Sequence, residues 1–159
     1  MTSAFDPASH RMTPSRRFED LRVGDVYVIP QRTVTDAHFS QFQALSLDNH
    51  PIHYDVPYCQ TLGHKGPLAH GLQVLAMTAA GAGLFPHEIG DALIGFVDVK
   101  AKFLKAVYPG DTLYPRLEII ALKPQRTTGV VTMRATIHNQ DGALVLDGEH
   151  SYLLKLSPA

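Results

Sequence analysis

The chain has 159 residues, 45% of them apolar, with 14 basic and 15 acidic side chains and a formal net charge of −1 at neutral pH. That length suits one domain with a substantial core. So even a charge balance offers neither a basic stripe for nucleic acid nor an acidic tail for a basic partner. A single cysteine, Cys59, excludes an internal disulfide and a zinc site built from several cysteines, which fits a reducing cytoplasm.

Residues 1–17 are polar and lack the apolar run of a secretory leader. They are expected to form a flexible peripheral arm, with Arg11, Arg16 and Arg17 solvated, ahead of a domain at 18–159. Phe18-Glu19-Asp20-Leu21 and Val23-Gly24-Asp25 read as a turn leading into a strand at 26–34. Thr35 is placed to cap a helix reaching residue 45, with Phe39, Phe42 and Leu45 along one face. Residues 48–53 follow as a loop, because Pro51 cannot occupy a helix interior. Residues 58–62 suggest one short helical turn.

The segment 68–84 reads as the main helix. It carries Leu72, Val74, Leu75 and Met77 among small residues such as Ala76, Ala79, Ala80 and Gly81. A helix apolar nearly all round is buried rather than laid on a surface. His70, Gln73 and the glycines interrupt it too often for a membrane span. Residues 92–107, 112–122, 128–139 and 143–156 are β-rich. In the third of these, Val131, Met133, Ala135 and Ile137 share one face, and Asp141-Gly142 is a hairpin turn signal. The plan is α+β: a curved antiparallel sheet wrapped round one long central helix.

Chemistry concentrates in Leu47-Asp48-Asn49-His50-Pro51-Ile52-His53-Tyr54-Asp55 and in Gly66-Pro67-Leu68-Ala69-His70-Gly71. The first sets a carboxylate and an imidazole five residues apart. The second puts a glycine at the start of the apolar segment. An acid/base pair beside free backbone N–H groups is what proton transfer next to a carbonyl requires. Asp48 alone could equally cap a turn, and His53 alone could tether the loop. His70 could line a pocket or simply be satisfied at the helix start. Asp48, His50, His53, Asp55, His64 and His70 together also permit a metal reading, but their spacing fits no helical metal motif, so no metal is expected. Cys59 lacks an activating neighbour in sequence and reads as a small buried hydrophobe.

These features resemble the MaoC-like hot-dog family, which includes (R)-specific enoyl-CoA hydratases. The likeness spans roughly residues 18–155 and rests on four stretches: 18–25, the segment 48–53 beside the pattern D-x-N-P-x-H, Ala69-His70-Gly71, and Tyr108-Pro109-Gly110-Asp111-Thr112-Leu113. The resemblance implies a single hot-dog domain, at least a homodimer, and addition of water to an enoyl-CoA thioester or its removal from a 3-hydroxyacyl-CoA. Since protein groups would supply both proton transfers and the oxyanion donor, no metal or organic cofactor is expected beyond the coenzyme A of the substrate. Asp48 and His53 would be the catalytic acid/base pair, and Gly71 would supply an N–H to the thioester oxygen. His50 and His70 are expected to contact substrate, and Lys65 could meet a phosphate of coenzyme A or simply stand solvated. One departure stands out: His50 occupies the asparagine position, and Asn49 sits one place early.

Two other functions fit the same fold. A hot-dog thioesterase commonly carries its acid on the central helix, yet 68–84 contains no Asp, Glu or Ser. A non-catalytic acyl-CoA-binding module is the other alternative, and His50 is the feature in its favour.

Overall fold

The computed structural model describes residues 5–157. Among them, strands β1 (Val26–Val28), β2 (Arg32–Thr33), β3 (Leu93–Phe103), β4 (Thr112–Pro124), β5 (Thr128–His138) and β6 (Leu144–Lys155) form one antiparallel sheet in the order β1-β4-β5-β6-β3, with β2 also on β4. The expected single strand at 26–34 is two short pieces. Ile29 still donates to the Pro115 carbonyl at 3.1 Å, but Pro30 has no N–H to continue the ladder. The β5–β6 hairpin turns at 139–143, where Gly142 adopts φ 70° and Ala143 accepts from Asn139 N–H at 2.9 Å.

Alternation sets the sheet's inner face. Leu113, Leu117 and Ile119 on β4, and Val131, Met133, Ala135 and Ile137 on β5, are buried. Each of the larger of these side chains contributes about 1.5–3 kcal/mol by leaving water. One core cluster gathers Phe18, Tyr27, Phe85 and Ile89 over Leu117, Ile119, Val131 and Met133. A second gathers Phe39, Val74 and Val107 over Leu113, Ile137, Val145 and Leu146. A side chain at Gly129 would collide with the Phe18 ring, so glycine lets the first cluster close on β5.

The helical layer comprises α1 (Asp36–Ser46), α2 (Val56–Thr61), α3 (Gly71–Ala76) and α4 (Phe85–Ile89). In α1 Phe39 is buried, but Leu45 is exposed rather than part of the apolar face. The long helix expected at 68–84 is broken. After Ala76 the backbone tightens, with Met77, Thr78 and Ala79 donating to the carbonyls of Val74, Leu75 and Ala76. The Thr78 hydroxyl also donates to the Leu75 carbonyl at 2.6 Å, competing with the helical ladder. Gly81, Gly83 and Pro86 complete the interruption. Nor is α3 buried all round: within one chain Leu72 is 65% exposed.

Residues 1–4 of the expected arm lie outside the described residues, and its other end is anchored. The Arg16 guanidinium bonds Asp25 Oδ2 at 2.6 Å, the Asp20 carbonyl at 2.7 Å and the Tyr27 hydroxyl at 3.1 Å, and lies 3.5 Å from Glu88. Arg16 is therefore a clamp between the 18–25 turn and α4, not a solvated side chain. Among the described residues no helix is long and apolar enough to cross a membrane.

Candidate active site

The segment 48–53 is held from three sides. Its N-terminal end hangs from α1, whose last turn closes with Leu47 in the left-handed conformation (φ 58°). Gln43 donates to Asn49 Oδ1 at 2.9 Å, so Asn49 secures the loop to α1 rather than facing a reactant. Asp48 Oδ1 accepts from His50 N–H at 3.2 Å, which sets the direction of the carboxylate. Pro51 starts a single 3-10 turn, Pro51–His53, as a proline at a first helical position should. On the third side Leu68 N–H donates to the Ile52 carbonyl at 3.0 Å, and the Cys59 thiol reaches the same oxygen at 3.2 Å. Cys59 is fully buried, in keeping with the core role read for it.

His53 and Asp48 come together. His53 Nε2 lies 3.8 Å from Asp48 Oδ2, with the histidine side chain 14% and the aspartate side chain 52% exposed. His53 Nδ1 is 2.7 Å from the Leu68 carbonyl oxygen. A carbonyl only accepts, so Nδ1 carries the proton. Neutral His53 therefore presents a lone pair at Nε2 toward the carboxylate. Burial holds the imidazole below the ordinary histidine range, offset by the Leu68 bond and the Asp48 charge and reinforced by His70.

His70 joins them from the start of α3. Its ring stacks on that of His53 at 3.7 Å between centroids and 20° between planes. Phe42 of α1 packs against it at 5.1 Å between centroids, with the planes tilted by 48°. His70 Nε2 lies 3.1 Å from the Asp48 carbonyl oxygen, so it too must donate there. His50 stands edge-on to His53 at 6.4 Å and to Tyr58 at 5.8 Å. Its Nδ1 accepts from Ile52 N–H at 3.3 Å, which leaves the proton on Nε2.

Gly71 opens α3 and borders a groove of about 330 Å³ lined by Leu68, Ala69, Val74, Phe103, Lys105 and Val107. A Cβ on Gly71 would meet the Phe103 ring at 3.2 Å, so glycine keeps this end of the groove open. With only six residues α3 carries a small dipole. Lys65 stands apart from the pair, its ammonium 4.4 Å over the Tyr108 ring. Three contributors were not anticipated from sequence. The Leu68 carbonyl leaves no sequence signal at all. Phe103 is an aromatic in a strand, unremarkable until Gly71 lies beneath it. The His53–His70 stack joins residues from two segments.

Ligand atoms of Asp48, His53 and His70 all lie within 4.8 Å of one another, a grouping that could hold a metal. The ring geometry argues otherwise. Imidazole lone pairs lie in the ring plane, and two rings stacked face to face at 20° do not aim them at one ion. His53 Nδ1 and His70 Nε2 are also committed to backbone carbonyls.

Comparison with known proteins agrees on one family. The profile of the MaoC like domain matches residues 20–140. An (R)-specific enoyl-CoA hydratase from Aeromonas caviae is 30% identical over 117 residues, covering 71% of this chain and 81% of that protein. An (R)-specific enoyl-CoA hydratase from Rhodospirillum rubrum is 28% identical over 141 residues, covering 86% and 90%. Among solved structures, one described as a monoamine oxidase regulatory protein from Archaeoglobus fulgius superposes with TM-score 0.83 at 27% identity, covering 93% and 99%. A Mycobacterium tuberculosis protein with a double hot-dog fold superposes with TM-score 0.74 at 27% identity, covering 91% of this chain and 45% of that one. The architecture is thus a hot-dog fold.

Proposed function

This chain belongs to the MaoC-like domain family, and we propose that it is a hydro-lyase, adding water to an enoyl-CoA thioester or removing it from a 3-hydroxyacyl-CoA. The observation that carries this reading is the 3.8 Å gap between Asp48 Oδ2 and His53 Nε2. Both atoms are acceptors when Nδ1 of His53 is protonated, and the gap is too long for a direct hydrogen bond. A water molecule donating one hydrogen to each fits it.

The reaction then follows from the groups present. His53 Nε2 takes a proton from that water, its hydroxyl adds at the β-carbon, and the proton is returned to the α-carbon. Asp48 orients the water and stabilises the imidazolium. Charge growing on the thioester oxygen meets the Gly71 N–H. The Asp48 backbone is fixed by His70, and the His53 ring by Leu68, so neither group reorganises as charge moves. We assign His50, with its Nε2–H free, to the substrate side of the pair, and Lys65 to a phosphate of coenzyme A. No metal or organic cofactor takes part, coenzyme A being a portion of the substrate, and we place the reaction in the cytoplasm.

The working unit is a homodimer joined along β3. That strand ends the sheet order and exposes Ile94, Phe96, Val97 and Val99, and an open apolar edge of this kind is normally covered.

The test is a parallel assay on short enoyl-CoA substrates, following loss of the enoyl-thioester ultraviolet absorbance beside release of free thiol. Hydration without thiol release supports the proposal. Thiol release without hydration would instead make the protein a thioesterase. Binding with neither would make it a non-catalytic acyl-CoA module.

A further inference from the structure

Among the described residues only three buried side-chain polar atoms lack a hydrogen-bond partner: His70 Nδ1 and both Nε2 and Oε1 of Gln73. Leaving such an atom unpaired costs about 1–3 kcal/mol, so this concentration calls for an explanation. The two residues are 3% and 5% exposed and occupy the cap and third positions of the first turn of α3. Residues three apart at a helix start lie on one face, which is the spacing of a capping box. Here the box is not closed, since the His70 side chain makes no cap bond.

The needs of the two groups match. His70 Nε2 must donate, because the Asp48 carbonyl 3.1 Å away can only accept. Neutral His70 therefore carries a bare lone pair at Nδ1 and requires a donor there. The Gln73 carboxamide holds two N–H bonds with nothing to receive them. Among the described residues Gln73 is the only other residue with a buried side-chain polar atom lacking a partner, and it stands three residues on from His70 in the same turn.

We propose that Gln73 is a positioning residue: its carboxamide N–H donates to His70 Nδ1, fixes His70 in the Nε2–H tautomer, and thereby pins the Asp48 carbonyl and the ring stacked on His53. The bond forms by rotation of the Gln73 side chain. The inference rests on Asp48 and His53 being the reacting pair, but its first test does not use the reaction. The opposite tautomer would point a lone pair at the Asp48 carbonyl and release the loop that carries the carboxylate.

Nitrogen-15 NMR of the histidine rings in the full-length protein reads the tautomer directly. The expected result is His70 protonated at Nε2, with an Nδ1 shift displaced toward that of a hydrogen-bonded acceptor and a scalar coupling to the Gln73 amide. Gln73→Leu should abolish that displacement and mix the tautomers. Gln73→Glu, which when ionised offers only acceptors, should place a proton on Nδ1 at a pH where the carboxyl is ionised. In the hydration assay Gln73→Leu should lower kcat about tenfold with KM little changed, as misplacement of a reacting group does. An Nδ1 with no bonded partner in the wild-type protein, or a His70 signal unmoved in both variants, overturns the proposal whether or not hydration is detected. Should Gln73→Leu fail to fold, the wild-type spectrum and Gln73→Glu still decide.

Discussion

The imidazoles of His53 and His70 stack face to face at 3.7 Å, His53 donating from Nδ1 to the Leu68 carbonyl and His70 from Nε2 to the Asp48 carbonyl. Burial, and to a smaller extent the neighbouring His70 ring, hold the His53 imidazole below the ordinary histidine range. This favours the neutral state in which His53 Nε2 bears a lone pair, and the stack joins the carboxylate loop to the start of α3.

A pH dependence follows with a definite sign. His53 in the folded protein binds its proton less readily than the ordinary histidine of the unfolded chain, because of burial, and so does His150. Below about pH 6.5 the unfolded state takes up protons that the native state resists, so stability falls as pH falls through this range. The urea midpoint should decline from neutrality downward. The acid limb of kcat/KM should lie below about 6.5 and should report neutral His53.

Much of this could be read from the residues. The α+β plan, the four long strands, the buried face of β5 and the grouping of Asp48 with His53 were all legible, because period-two alternation and a proline-broken loop are local signals. The long helix was not. Nothing in the composition of 68–84 shows that Thr78 bonds back to Leu75 and that the chain tightens after Ala76. Arg16 was expected in solvent, and only its distant partners Asp25 and Glu88 show why it is not. The tautomers of His53 and His70 are set by carbonyls of Leu68 and Asp48, and backbone oxygens have no sequence signature.

His50→Asn should leave hydration equal or faster. Asparagine at a cap position can also accept the Ile52 N–H that His50 Nδ1 accepts at 3.3 Å, so the turn survives. Steady-state kinetics beside the parent protein checks it. A loss of more than tenfold would assign His50 an essential part of its own.

Chelation should leave activity intact, since the proposed mechanism draws its proton-transfer groups and its oxyanion donor from protein atoms alone. The measurement is the hydration rate after exhaustive dialysis against EDTA. Loss on dialysis with recovery on adding zinc or iron would make the Asp48, His53 and His70 grouping a metal site.

Val97→Glu places a charge on the open β3 edge, where Val97 is 54% exposed in one chain. Light scattering of the parent protein should give twice the chain mass of 17.4 kDa, and the variant should shift toward one chain at micromolar concentration. A monomeric parent protein would rule out β3 as a standing interface.

The most direct test of the central claim is a double-mutant cycle on Asp48 and His53 in the hydration assay. Asp48→Asn and His53→Gln keep side-chain size and remove acid/base function, so each should lower kcat by roughly 10²- to 10⁴-fold with KM little altered. In the proposed mechanism the two share one water across the 3.8 Å gap, so the double variant should be little slower than the worse single variant, as for residues that act as a unit. Near-full activity in both folded single variants would contradict the account and leave the pair a structural tether of the loop.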